Sequence, residues 1–207
     1  MFELTLVFDF VTPISTHISI IFTSNKMMSS YKSIKDSETV FTELMTPGYA
    51  NFGDKVHGGV ILSIMDKVAY ATAVKHCEGY VVTVGVDAVE FHKPVEIGNL
   101  LTMKSRVNYV GKTSMIVGIR CEATDIKTGI ISHTNTAYFT MNMKSENEGD
   151  MVPGLILYND EDVRRFAEGL YMKNLGREKR MILKGDMVGK SHEELFQYIS
   201  GERMKLN

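Results

Sequence analysis

The chain has 207 residues, of which 44% are hydrophobic and 23% are charged, a composition typical of a soluble globular protein with one domain and additional segments. Its formal net charge is -2 and its basic residues are dispersed, which excludes a nucleic-acid-binding arm and a polybasic membrane patch. The two cysteines, Cys77 and Cys121, form no CxxC pair and no disulfide framework, a pattern that favours a reducing cytoplasm.

The N-terminal segment is rich in Phe, Val, Ile and Thr, but Glu3 and Asp9 interrupt it and it lacks the basic start of a signal peptide. It also falls short of the roughly 18 uninterrupted apolar residues that a membrane span needs. Because Met27 and Met28 precede a polar segment typical of a cytosolic start, we interpret residues 1–28 as an extension outside the functional fold. An additional strand would give the same pattern.

A strand followed by a long helix begins the domain. The run Ser37 to Met45 predicts the strand, and apolar residues from about Gly58 to about His76 predict the helix. These apolar residues cover nearly the whole circumference of the helix, so we expect other structure to surround it. Asp66 lies on the same helical face as Gly59, where no residue neutralises it. Its carboxylate therefore needs donors, a second subunit or a water-filled cleft, or else it takes up a proton.

Four segments further along the chain alternate apolar and polar residues and predict strands. They are Tyr80 to Phe91, Leu100 to Val110, Ser114 to Thr124 and Ile130 to Met143. Short turns between the later segments predict hairpins. The order of elements predicts an α+β fold, in which an antiparallel sheet of five to six strands wraps around one long central helix.

The C-terminal part predicts further helices. After an acidic linker, Asn159-Asp160 begins a helical pattern with an N-cap, and Ser191 to Glu194 forms a capping box before a second short helix. We therefore divide the chain into residues 1–28, a domain at residues 29–143, and a linker with C-terminal helices at residues 144–207. We expect the helical tail to pack on the surface or on a partner.

Several motifs follow one another through the predicted domain: Asn51-x-x-x-x-Val56-His57-Gly58-Gly59, Ser63-Ile-Met-Asp66, Val81-Val-Thr83-Val, Phe91-x-Lys93-Pro94 and Val110-Gly-Lys112-Thr-Ser114. Together they resemble the hotdog-fold acyl-CoA thioesterases, both the bacterial single-domain enzymes and the mammalian brain acyl-CoA hydrolase. The resemblance covers about residues 38–143. It implies a hotdog fold whose protomers join their sheets edge to edge, often as trimers of dimers, with active sites between subunits.

The same resemblance implies a cytoplasmic acyl-CoA hydrolase that releases a free fatty acid and coenzyme A, with no cofactor other than coenzyme A as product or ligand. Asp66 is the candidate general base or nucleophile, since both roles use the same ionised oxygen. Asn51 of one protomer is implied to face Asp66 of the other and to orient the water or the carbonyl. From its local sequence alone, Asn51 is equally a turn residue.

The start of the helix is the candidate oxyanion site. Backbone N–H groups of Gly58 and Gly59 and the positive end of the helix dipole suit a carbonyl oxygen, although an ordinary tight turn fits the local sequence equally well. The resemblance favours Gly59 as the donor and adds Thr83 as a substrate-binding candidate. His57 stands next to them, and we favour a structural role for it as a helix cap.

Coenzyme A phosphates need cationic or backbone donors. The turn residues Lys112, Thr113 and Ser114 resemble the nucleotide-contacting segment of the family, and Lys93 and Arg120 are weaker candidates. Ordinary ion pairs across the strands are the alternative for Arg120. The six histidines show no HExxH or comparable spacing, so we predict no metal site.

Three other functions remain open at this stage. A hydratase of the same fold would need a histidine with an acid partner, and no such pairing is visible in the strands. A non-catalytic acyl-CoA sensor would use the same groove, but it has little reason to keep the uncompensated Asp66. An interaction module that acts through its tail helices is the third.

Overall fold

The computed structural model describes residues 31–145, 147, 149–182, 185 and 189–199. The predicted extension at residues 1–28 lies outside the described residues and stays a prediction. In chain order the elements are β1 (Tyr31–Ser33), β2 (Thr39–Leu44), α1 (Gly58–Cys77), β3 (Val81–Phe91), β4 (Leu100–Val110), β5 (Ser114–Thr124), β6 (Ile131–Met143), β7 (Gly154–Ile156), α2 (Asp160–Met181) and α3 (His192–Ile199).

Strands β2 to β6 form one antiparallel sheet in the order β2-β4-β5-β6-β3. Helix α1 packs across one face of this sheet, here called the inner face, and its buried side chains join those of the strands in a single core. The predicted α+β architecture, an antiparallel sheet around one long helix, is confirmed. The predicted bounds of β4 and β5 agree with the structure, and α1 ends one residue later than predicted.

The core between α1 and the sheet is rich in methionine. Its fully buried members include Met45, Met65, Met103, Met115 and Met141. Methionine is unbranched and flexible, so it fills the irregular space between a straight helix and a twisted sheet. This packing anchors α1 firmly by its inward side and determines which side of the helix is left for other contacts.

Helix α1 is not surrounded on every side, contrary to the prediction. Ser63, Asp66 and Tyr70 are exposed, and together with Gly59 they form an open stripe at helical spacing. The prediction counted every small or apolar residue as buried, although Ala71 is exposed. The helix therefore carries Asp66 on its open side and not within the core.

A small two-stranded parallel sheet, β1 with β7, was not predicted from the sequence. Three-residue strands are too short to produce a recognisable alternation of side chains. The imidazole of the fully buried His76, at the end of α1, bonds through Nε2 to the Pro153 carbonyl oxygen at 2.7 Å. This bond fastens the segment before β7 to the central helix.

Helix α2 packs across the opposite, outer face of the sheet, so the sheet lies between two helices. The predicted N-cap is confirmed, because Asn159 Oδ1 accepts a hydrogen bond from the Asp162 N–H at 2.9 Å. The capping box at Ser191 and Glu194 is also confirmed. None of the helices in the described part of the chain has the length and hydrophobicity needed to cross a bilayer.

Two glycines allow α2 to approach the sheet closely. Gly169 and Gly176 are buried and lie seven residues apart, on the same side of the helix. A methyl group on Gly169 would stand 2.7 Å from Tyr109 Cβ and 3.2 Å from the carbonyl carbon of Asn108. At this seam the helix contacts the β4 backbone, which leaves no space for a side chain.

Replacing Gly169 by alanine is expected to lower the free energy of unfolding by about 1–3 kcal/mol, because α2 must move away from the sheet. The better helix propensity of alanine offsets only part of this loss. The measurement is urea unfolding followed by circular dichroism. Gly48→Ala is the control, since an added methyl there meets open space. Equal stability of the Gly169→Ala variant and the wild type would contradict close packing at the seam.

Candidate active site

Asp66 and Thr83 come together beside an edge of the sheet. Thr83, on β3, donates a hydrogen bond from Oγ1 to Asp66 Oδ1 at 2.7 Å, and both side chains are exposed in the single chain. Among the described residues, no lysine, arginine or histidine forms an ion pair with Asp66. The expected lack of positively charged partners is therefore present. The carboxylate is not buried, however, and it is stabilised by solvent and by the Thr83 hydroxyl.

Strand β3 is an edge strand, and no strand among the described residues pairs with one side of its backbone. It exposes Val84, Val86 and Phe91, each with about half of its surface in solvent (47%, 50% and 52%). An uncovered edge with exposed apolar side chains favours pairing with a second chain. The edge follows the open stripe of α1, so a chain that paired there would also cover Asp66 and Thr83.

Asn51 lies in the loop before α1, where its side chain organises the turn. Asn51 Oδ1 accepts hydrogen bonds from the backbone N–H of Gly53 at 2.8 Å and of Lys55 at 3.2 Å. The amide oxygen of Asn51 therefore acts within the turn, as the local sequence indicated. Within the described residues, the amide nitrogen has no hydrogen-bond partner, and the residue is exposed. The structure does not join Asn51 to Asp66 by a hydrogen bond within one chain.

The start of α1 carries the cap that the sequence predicted. The ring of His57 accepts a hydrogen bond at Nδ1 from the Gly59 N–H at 2.9 Å, and His57 is the N-cap residue. The N–H of Gly59 is therefore already engaged, whereas that of Gly58 has no partner among the described residues. For Gly59 to bind a carbonyl oxygen, the His57 ring must move or share the donor, while Gly58 is available as it stands.

The candidate coenzyme A turn lies at the same end of the sheet as Thr83. Ser114 pairs with Asn142 on β6, which pairs in turn with Val82 on β3. Two strand spacings separate the turn from β3, a distance of about 10 Å. Lys112 is exposed, and Thr113 donates from Oγ1 to Asn142 Oδ1 at 3.0 Å. This arrangement leaves the Lys112 ammonium group facing solvent.

Arg120 is not brought together with the other candidates. Its side chain lies on the outer face of the sheet, where Arg120 Nε donates to Glu122 Oε1 at 2.8 Å. Lys104, on the neighbouring strand, also pairs with Glu122, and these two cations lower the pKa of the Glu122 carboxyl. Arg120 therefore forms an ion pair, as the alternative expected, but with a residue of its own strand, whereas the pair across the strands is that of Lys104 with Glu122. Lys93 is exposed in the segment that follows β3.

Within the described residues, no group of three or more His, Cys, Asp or Glu side chains is close enough to hold a metal ion. Sequence reasoning also missed one feature of the site, the open edge of β3. The signal was present in Val84 and Val86, two apolar residues that the strand leaves exposed. Only the order of strands in the sheet, however, reveals that β3 is an edge.

Comparisons with known proteins identify the family. The model of the thioesterase superfamily matches residues 53–130 of this chain. Protein VdlD of Helicobacter pylori is 36% identical over 157 residues, which are 76% of this chain and 87% of that protein. The chain belongs to the hotdog-fold acyl-CoA thioesterase family. The family match includes Asp66, Thr83 and Lys112, and it begins two residues after Asn51.

Two other members of the family are similar over most of this chain. The cytosolic acyl coenzyme A thioester hydrolase of Homo sapiens is 28% identical over 66% of this chain, which covers 37% of the human protein. A crystal structure of an apo-hexameric acyl-CoA thioesterase superposes with a TM-score of 0.68 and 27% identity, over 72% of this chain and 97% of the other. The hotdog fold is therefore shared with a solved hexamer.

The cap at the start of α1 can be tested by substitution. Because His57→Ala removes the acceptor of the Gly59 N–H, it is expected to lower the free energy of unfolding by about 1 kcal/mol. His57→Asn is the matched control, since asparagine is a preferred N-cap and should retain most of the stability. Urea unfolding measures both variants. A loss in the asparagine variant as large as in the alanine variant would contradict the capping role.

Proposed function

We propose that this protein hydrolyses acyl-CoA thioesters to a free fatty acid and coenzyme A, in the cytoplasm. The observation that carries the proposal is the Asp66 carboxylate, which the Thr83 hydroxyl holds at 2.7 Å on the open side of α1. A poised carboxylate beside an uncovered sheet edge suits a reaction that takes place between two chains. The human hydrolase and the hexameric thioesterase support the same substrate class.

Asp66 supplies the reacting oxygen. One carboxylate oxygen accepts the Thr83 hydroxyl, which leaves the second oxygen for chemistry. This oxygen either removes a proton from the attacking water or attacks the thioester carbon itself. In the first route water attacks the thioester carbon, Asp66 takes its proton, the carbon–sulfur bond breaks and coenzyme A leaves as its thiolate. In the second route the thiolate leaves as a mixed anhydride forms on Asp66, and water then hydrolyses this anhydride, which releases the fatty acid and regenerates the Asp66 carboxylate. Lys112, Thr113 and Ser114 would contact the phosphates of coenzyme A.

In the proposed site the oxyanion donor comes from the other chain of a dimer. Gly59 and Asp66 are seven residues apart on one helix, which places them about 10 Å apart along its axis. A nucleophile and an oxyanion donor that act on one carbonyl must both approach it to about 3 Å. One active site therefore combines Asp66 and Thr83 of one protomer with Asn51 and the Gly58–Gly59 backbone of its partner.

This arrangement makes a dimer the smallest active unit, with two equivalent sites related by a two-fold axis. The edge of β3 is the contact that brings the two helices together, because it runs beside Asp66 and exposes apolar side chains. A trimer of such dimers agrees with the hexameric relative. The free amide nitrogen of Asn51 is then available to orient the water or the carbonyl.

The first test is thiol release from acyl-CoA esters of short to long chain length. Asp66→Asn should lower turnover by at least roughly a hundredfold, because the amide neither removes a proton nor attacks. Asp160→Asn is the matched control, as it makes the same change on α2, away from the site. Gel filtration verifies that each oligomer is intact. Acyl-CoA binding without turnover in the wild type would replace the hydrolase with a sensor.

A mixing experiment tests whether each site is shared between chains. Asp66→Ala and Asn51→Ala chains should each be inactive alone. If they are unfolded together and refolded, mixed dimers regain one wild-type site, and turnover should recover to about a quarter of the wild-type value. A site contained within one chain would give no recovery, since every chain in the mixture carries a defect.

A further inference from the structure

Strand β3 departs twice from a regular pairing with its neighbour β6. One shift of register follows Thr83 and the other follows Val86, so that Val84 and Asp87 each lack a partner on β6. A bulge of this kind inserts one additional residue into a strand and changes the direction of the side chains that follow it. The two bulges therefore determine which residues of β3 face α1 and which face α2.

The first bulge separates Thr83 from the part of β3 that contacts α2. In a regular strand, side chains two or four residues apart lie on the same face of the sheet. Thr83 instead bonds to Asp66 on the inner face, whereas a methyl group on Gly85 would lie 3.4 Å from Arg180 Nη1 of α2, on the outer face. Asp87 also contacts Arg180. Without the additional residue of the bulge, Thr83 and Asp87 would share one face.

The second bulge returns the strand to its original orientation. Val89 packs against the hydrophobic core, although it follows the outward-facing Asp87 by only two residues. Residues 84–87, here called the inverted segment, are thus turned over relative to both ends of β3. Because β3 is an edge strand, only one neighbouring strand among the described residues holds its register. The inverted segment therefore needs a further anchor.

Asp87 anchors the inverted segment to β6 and to α2. Its buried carboxylate accepts a hydrogen bond from Thr140 Oγ1 and lies 3.5 Å from Arg180 Nη1. Its carbonyl oxygen accepts a hydrogen bond from Lys179 Nζ at 2.9 Å. Gly176 provides the space for the carboxylate, since a methyl group there would lie 2.1 Å from Asp87 Oδ1. These contacts lie on the outer face, across the sheet from the candidate active site.

We propose that Asp87 is a positioning residue for the hydrolysis of acyl-CoA. By anchoring the inverted segment it keeps the first bulge in place, and the bulge keeps the Thr83 hydroxyl directed at Asp66. A slip of one residue would turn Thr83 to the other face and break its hydrogen bond with Asp66. This role rests on the proposed function, because it acts on the hydroxyl that holds the proposed base or nucleophile.

A double-mutant cycle tests whether Asp87 acts through Thr83. Asp87→Ala and Thr83→Val are each expected to lower kcat for acyl-CoA hydrolysis roughly tenfold and to leave KM unchanged, because the carboxylate of Asp66 is then poorly placed. The double variant should be no slower than Thr83→Val alone, since the hydroxyl that Asp87 positions is already absent. Losses that multiply to roughly a hundredfold would overturn the proposal.

A second variant keeps the test decisive if Asp87→Ala does not fold. Arg180→Gln removes the charged partner of Asp87 from a partly exposed position on α2, and it should lower kcat roughly threefold in the same cycle with Thr83→Val. Arg177→Gln is the matched control, because it makes the same change at an exposed position three residues earlier on α2 and should leave kcat unchanged. Equal kcat values for Arg180→Gln and the wild type would count against the anchor.

Methyl NMR of labelled threonines reports on Thr83 without any turnover. In the Asp87→Ala or Arg180→Gln protein the Thr83 methyl resonance should shift, whereas that of Thr42, on the opposite edge strand β2, should not. A shifted Thr83 resonance in the variant of a protein whose wild type shows no turnover would refute the hydrolase and leave Asp87 as the anchor of Thr83. Turnover by the wild type, with an unshifted Thr83 resonance in the variants, would overturn the positioning role alone.

Discussion

The open edge of β3 is the constraint on which the rest of the candidate site depends. In the part of the chain that the structure describes, this edge has backbone groups without a strand partner and exposed apolar side chains, and Asp66 lies beside them on the open stripe of α1. Covering this edge with a second chain would remove apolar surface from water. It would also take the Asp66 carboxylate out of bulk water, where the Thr83 hydroxyl and donors from the partner replace the solvent. Assembly and chemistry are therefore expected to depend on the same surface.

Helix geometry favours the proposed site that is shared between two chains. A rise of 1.5 Å per residue places the backbones of Gly59 and Asp66 about 10 Å apart along the helix axis. The proposed site therefore combines the middle of one helix with the start of the equivalent helix in a partner chain. In the proposed dimer, a two-fold axis between adjacent helices would place the start of one helix near the middle of the other.

Local chemistry made several elements predictable from the sequence. The strands β4 and β5 each have one face on the core, so their alternation is regular and their predicted bounds are confirmed. The caps at Asn159 and Ser191 are also confirmed, because capping depends on residues within one turn of the helix. His57 belongs to the same class, since its ring bonds to a backbone group only two residues away.

Features that depend on the order of strands were not predictable in the same way. The exposure of Asp66 follows from its position beside the β3 edge, and the helical pattern contains no information about that edge. The pairing of β1 with β7 joins segments more than a hundred residues apart through strands of three residues each. Arg120 differs from these cases, because its alternation with Ile119 and Cys121 already indicated the outer face.

The C-terminal helix α2 is tied to the strand that carries Thr83. Asp87, on the outer side of β3, is only 6% exposed, and its carboxylate accepts the Thr140 hydroxyl and pairs with Arg180. Burial raises the pKa of the Asp87 carboxyl despite these partners. Lys179 binds the Asp87 carbonyl oxygen at 2.9 Å, so α2 holds both the side chain and the backbone of this residue. Because Thr83 lies only four residues earlier on the same strand, the docking of α2 on the outer face positions the hydroxyl that holds Asp66 on the inner face. This connection makes α2 a structural part of the domain that carries Asp66 and Thr83, in keeping with the expectation that the helical tail packs on the surface or on a partner.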